Sequence, residues 1–188
     1  MQIDFKNKKA NIKILLYVLL LFFVVFLFYW QMSRDKKIME IVDQANIRKV
    51  VVNGFSMAPY ISAGAELEAD YSYQNEQKKI ERNDVVVANY QNSLKKDLIK
   101  FVKVVPGDRF HVDEEKNILY INDQPMVNSE GNIMFLRKTG MISLYERSFG
   151  GVMPEDIFFI FGDQPNSIDS TRFGPVPRGK IEAKVIIN

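Results

Sequence analysis

A mainly β domain behind one N-terminal transmembrane helix is predicted by three observations. An uncharged apolar run extends from Ile14 to Trp30, short segments rich in β-branched residues recur after Lys49, and turn-forming residues separate them. The apolar run holds 17 residues. At about 1.5 Å per residue, with Ile12 and a snorkelling Lys13 beside it, it just spans a hydrocarbon core of about 30 Å. A cleavable signal peptide is the rival reading. The run is long for that role, and Tyr29-Trp30-Gln31-Met32 stands where a small-x-small cleavage site would follow. Tyr29 and Trp30 read as an interfacial aromatic belt. Lys6, Lys8, Lys9 and Lys13 before the run face Arg34, Lys36 and Lys37 after it, a slight lean toward a cytoplasmic N-terminus.

The chain then divides into a cytoplasmic tail (1–11), a transmembrane helix (12–31), a juxtamembrane linker or short helix (32–48) and an extracytoplasmic mainly-β domain (49–188). In the third segment Ile38, Ile41, Val42 and Ala45 recur at helical spacing, which suits an amphipathic helix as well as a spacer. Strands are expected over 50–52, 85–90, 98–105, 118–121, 157–161 and 181–187, with Ile118 to Met126 as a hairpin. Turns are expected at Ser62-Ala63-Gly64, Asn83-Asp84, Pro106-Gly107-Asp108, Asn122-Asp123 and Gly150-Gly151.

Composition narrows the function. A length of 188 residues leaves room for one ordinary domain plus an anchor, and 47% hydrophobic residues supply a core. A net charge of +2 gives no pull toward nucleic acid, and no Cys/His spacing resembles a zinc site, so neither nucleic acid, metal nor cofactor is expected. The absence of cysteine rules out a disulfide framework.

Candidate chemistry lies in three segments. Ser56 sits in Gly54-Phe55-Ser56-Met57-Ala58-Pro59, where a β-branched run gives way to a turn that can expose a hydroxyl. Lys100 follows on an apolar strand and by strand parity shares a face with Leu98, Val102 and Val104. Such neighbours disfavour its charged form, as a lysine base requires. Lys103 is expected on the opposite face. The bland reading of Lys100 is an edge cation that reaches solvent. The third segment, Phe161 to Val176, packs Asp163, Ser167, Asp169, Ser170, Thr171 and Arg172 into a glycine-bounded loop, either a site element or an internally bonded connector. His111, beside Val112 on an expected strand, reads as structural, and nothing in its spacing supports a Ser/His/Asp triad.

Together these segments resemble the type I signal peptidases. Ser56-Met57-Ala58-Pro59 matches the nucleophile motif, and Asp97 to Asp108 matches the lysine motif, with Lys100 six residues before Pro106. Gly162-Asp163 with Asn166-Ser167-Ile168-Asp169-Ser170 matches the closing motif, while Asn83 to Val87 and Met153-Pro154-Glu155 extend the likeness over most of Lys49 to Ile187. The resemblance implies a plasma-membrane serine endopeptidase, single-pass with its N-terminus cytoplasmic, that removes signal peptides from exported preproteins. It prefers small residues at positions 1 and 3 before the cut. By position Ser56 is the nucleophile and Lys100 the general base; Ser167 holds the Lys100 amine, and Asp163 and Asp169 support the loop. The oxyanion falls to the Ser56 N–H, because Gly54 has no hydroxyl where some relatives have one. Preprotein signal peptides, pilin precursors among them, and the lipid bilayer are the implied partners. Three departures stand out: Phe101 replaces a usual arginine, which removes the expected partner of Asp163; the loop reads Gln164-Pro165; and Thr171 separates Ser170 from Arg172. They motivate an alternative, a non-catalytic relative that assists pilus or surface-protein assembly.

Overall fold

The computed structural model describes residues 5–75, 78–89 and 97–187, excluding the side chains of 5–18 and 40–43. It divides into two compact units, Met1–Ala45 and Asn46–Asn188.

The first unit is one helix, α1 (Phe5–Asn46). Its exposed stretch Leu19 to Trp30 carries apolar side chains throughout. Among the described residues no helix is long and apolar enough to cross a membrane. Part of the predicted span of 12–31, Ile12 to Val18, has side chains outside the described residues. The helix continues to Asn46 through most of the segment read as linker or short helix, which contains no proline or glycine to interrupt it, and Ile47 and Arg48 at its end already belong to the first strand.

The second unit is built on a seven-stranded antiparallel sheet of order β1-β2-β10-β3-β4-β8-β9 and a three-stranded sheet β5-β6-β7. In chain order the strands are β1 (Ile47–Val51), β2 (Glu66–Asp70), β3 (Val85–Ala88), β4 (Leu98–Val104), β5 (Phe110–Asp113), β6 (Ile118–Ile121), β7 (Gln124–Pro125), β8 (Ile157–Phe161), β9 (Val176–Pro177) and β10 (Ile181–Ile186). Two helices intervene, α2 (Gly140–Phe149) and α3 (Ser170–Phe173). The β6–β7 hairpin turns on Asn122 and Asp123, both at positive φ (48° and 66°), the conformation a tight two-residue hairpin demands.

The six expected strands lie on β1, β3, β4, β6, β8 and β10, with Tyr90 outside the described residues. The expected elements do not include β2, β9, α2 or α3. β2 reads Glu-Leu-Glu-Ala-Asp, with only Leu67 and Ala69 to mark its inward face. Helix α2 was not expected, although Ile142, Tyr145 and Phe149 fall at helical spacing on the core beside β8, and Gly150, at φ 64°, ends the helix in the left-handed conformation.

Three apolar clusters position the site. One face of the large sheet packs Val85, Val87, Phe101, Ala183 and Val185 under Val52, Met57 and Ile61. The other packs Val86, Ala88, Val102, Ile160 and Ile181. The third joins Val104, Phe159 and Phe161 to the small sheet and α2. Val104 therefore departs from the face it was expected to share with Lys100. The pairing of β4 with β8 slips between Val102 and Val104, a bulge that reverses parity for the end of the strand.

Candidate active site

Ser56 lies in the loop between β1 and β2. Backbone bonds Val52 N to Ala65 O (2.9 Å) and Gly64 N to Val52 O (2.8 Å) close its base. Within it Met57, 1% exposed, sinks into the core and anchors the turn that carries Ser56. Gly54 sits at φ 100°, where a side chain would be strained, which is reason enough for glycine at that position.

Lys100 reaches the same point from β4. It pairs across the sheet with Val86 and is only 3% exposed, so the reading as a solvent-reaching edge cation does not hold. Its Nζ donates to Ser56 Oγ at 2.8 Å and to the Ile99 carbonyl at 2.8 Å. Burial pushes the amine down from 10.5 to about 8, against the opposing charge of Asp169. Lys103 differs: its amine donates to Asn83 Oδ1 at 3.0 Å and lies 4.7 Å over the Phe101 ring.

The loop after β8 closes the site from the other side. The N–H groups of Asp163 and Gln164 both donate to the Ser56 carbonyl, at 2.7 and 3.3 Å. Gln164 also donates its side-chain amide to the Ala58 carbonyl at 2.8 Å, so a departure from the family pattern ties the two loops together. Gly162 is obligatory, because a Cβ there would overlap Ser167 Oγ and the Ser56 carbonyl oxygen. Asp169 caps α3, accepting from Thr171 N (3.0 Å) and Thr171 Oγ1 (2.7 Å), and accepts from Gly162 N at 3.2 Å. Its carboxyl is raised by burial, which outweighs those hydrogen bonds and the Lys100 charge. Ser167 Oγ is buried without a hydrogen-bond partner. It lines the same cavity as Ser56 and Lys100.

That cavity, of about 960 Å³, has Val52, Tyr71, Val87 and Ile99 among its walls, with Asp97 also lining it. Its walls are mostly apolar, with Ser56, Lys100 and Asn166 among the polar groups that line it. Among the described residues no group of His, Asp and Glu could hold a metal ion. His111 stands apart on the small sheet, exposed and stacked on Tyr120 with ring centroids 4.8 Å apart.

One sequence expectation needs correcting. Phe101 does stand where an arginine was expected, yet Asp163 is not left alone. Its carboxylate accepts from Ser129 N at 2.8 Å and Ser129 Oγ at 2.5 Å, and its charge acts on Lys103. Neither residue was singled out as its partner, since Ser129 lies 34 positions away in a polar turn with no local signal.

The sequence matches the family described as signal peptidase, peptidase S26, over residues 9–188. A solved signal peptidase I from Enterococcus faecalis is similar at 22% identity and a TM-score of 0.40, over 58% of this chain and 98% of that one. No curated protein matches. With a family match over nearly its whole length, the chain belongs to the signal peptidases of family S26.

Proposed function

We propose that this protein is a membrane-anchored serine endopeptidase that cleaves signal peptides from exported preproteins after a small residue. The observation that carries the reading is the 2.8 Å contact between the Lys100 amine and the Ser56 hydroxyl, made by a lysine whose burial brings its pKa to about 8. Such a lysine is neutral in a useful fraction of molecules near physiological pH. The neutral amine accepts the Ser56 proton as Oγ attacks the scissile carbonyl. The Ser56 N–H, which donates to no described residue, stabilises the oxyanion. Lys100 then delivers that proton to the departing amine, leaving an acyl-enzyme on Ser56. In the second half it takes a proton from water, whose oxygen attacks the ester, and returns it to Ser56 as the acid leaves. The buried hydroxyl of Ser167 suits the task of orienting the amine. Asp169 offsets part of the desolvation of Lys100, and Asp163 holds the nucleophile loop through its backbone. A non-catalytic assembly factor has no use for a base held on a serine hydroxyl.

Incubating the full chain in detergent with a preprotein should yield a new N-terminus after a small residue. Equal cleavage by Ser56→Ala sinks the reading. A pilin precursor tested beside a general preprotein separates a dedicated from a broad enzyme. The apolar run from Ile14 to Trp30 supports a single-pass anchor with the N-terminus cytoplasmic and the catalytic domain outside the plasma membrane. Alkaline carbonate should then leave the full chain in the membrane pellet, and its release to the supernatant defeats the anchor.

A further inference from the structure

The loop after β8 meets the turn after β7 at a buried carboxylate. Asp163, 2% exposed, has a backbone N–H that holds the Ser56 carbonyl at 2.7 Å. Its side chain points elsewhere, to the turn that follows β7, where Ser129 gives it two hydrogen bonds. That turn is well tied. Asn128 Oδ1 accepts from Glu130 N at 3.1 Å and Asn132 N at 2.8 Å. Asn128 N donates to Asn132 O at 2.9 Å, and Val127 pairs with Ile133 across its base. A residue gripped at both ends transmits position: moving the carboxylate moves the peptide that carries the N–H. We propose that Ser129 is a positioning residue for the Ser56 nucleophile, setting through Asp163 the placement of the Ser56 peptide. The inference rests on the catalytic reading of Ser56. It assigns to the turn after β7 a part in catalysis although no residue of that turn touches the reacting atoms. Ser129 acts on the nucleophile and not on the base, so its effect differs in kind from that of a residue facing Lys100. Misplacing a reacting group lowers turnover more than binding.

The test combines kinetics of the full chain in detergent with amide hydrogen exchange read residue by residue. For Ser129→Ala, kcat should fall about tenfold, with KM within about twofold and the pH midpoint of the rate unmoved. Exchange at the Asp163 amide should accelerate by a similar factor, with Val86 on β3 unchanged. Ser129→Thr, which keeps the hydroxyl, should restore both. Unchanged exchange at Asp163, or a Ser129→Ala loss confined to KM, overturns the proposal. Should Ser129→Ala fail to fold, Ser129→Cys, close in size with a weaker donor, replaces it, and wild-type kcat and exchange there overturn it equally. Exchange does not depend on turnover, so a wild-type chain without peptidase activity refutes the catalytic reading while Asp163 exchange still decides the link to Ser129.

Discussion

Lys100 and Lys103 lie three residues apart on β4, both almost fully buried, at 3% and 6% exposed. Burial lowers both pKa values, and in each case a carboxylate opposes it, Asp169 for the first and Asp163 for the second. Their partners separate them. Lys100 meets a hydroxyl and a carbonyl at the wall of a cavity, whereas Lys103 meets an amide oxygen and the face of a ring, with Arg82 nearby pushing it down further. Desolvation makes a lysine able to give up its proton, but only the neighbour it faces decides whether that proton can serve a reaction. In the proposed mechanism the first serves as the base, while the second feels the charge of Asp163 in the loop that clamps Ser56.

The sharpest way to break this contrast is substitution. Ser56→Ala and Lys100→Ala should each reduce preprotein cleavage by about 10⁴-fold or more, with the double variant no worse than either single one. Lys103→Met should retain measurable turnover. If Lys103→Met is as inactive as Lys100→Ala while folded, the division of roles is wrong.

Stability separates the two next. The folded pKa of Lys100, about 8, lies below its unfolded 10.5, so the unfolded chain binds more protons between these values. The charged form therefore destabilises the fold below pH 8, and that penalty of up to about 3 kcal/mol fades as pH rises to 10.5. Urea unfolding should show the wild type gaining stability over this window relative to Lys100→Met. Parallel curves would contradict the assigned shift. Lys103→Met should instead change stability by less than about 1 kcal/mol at neutral pH, because the lost hydrogen bond to the exposed Asn83 and the relief of a buried charge oppose each other.

Smaller effects test the clamp. Gly162→Ala should lower kcat about 100-fold by displacing Ser167 and the Ser56 carbonyl, with far-ultraviolet circular dichroism unchanged. Wild-type turnover in that variant means the loop tolerates movement and the clamp is dispensable. His111→Gln should leave kcat unchanged at every pH, and the rate should rise with pH through a midpoint near 8 set by Lys100. A second limb lost with His111 would make histidine part of the mechanism.

Much of the fold could be read locally, because a strand announces itself through consecutive β-branched or aromatic residues, as in Val85-Val86-Val87 and Ile157 to Phe161. Where apolar residues are few the signal fails: β2 has two, and its place between β1 and β10 comes from backbone pairing with strands distant in sequence. The chemistry divides in the same way. Ser56 in its turn, Lys100 on its strand and the glycine-bounded loop were identifiable because each motif is a short run of residues whose types state their chemistry. The 2.8 Å meeting of Ser56 and Lys100, the pairing of Asp163 with Ser129 and the parity change at Val104 depend on how β4, β8 and the small sheet are laid against one another. Sequence spacing carries no information about contacts across 34 or 44 positions until pairing and core packing bring those segments together. Sequence alone thus determined which groups could react, and tertiary structure decided which of them face each other and how deeply they are buried.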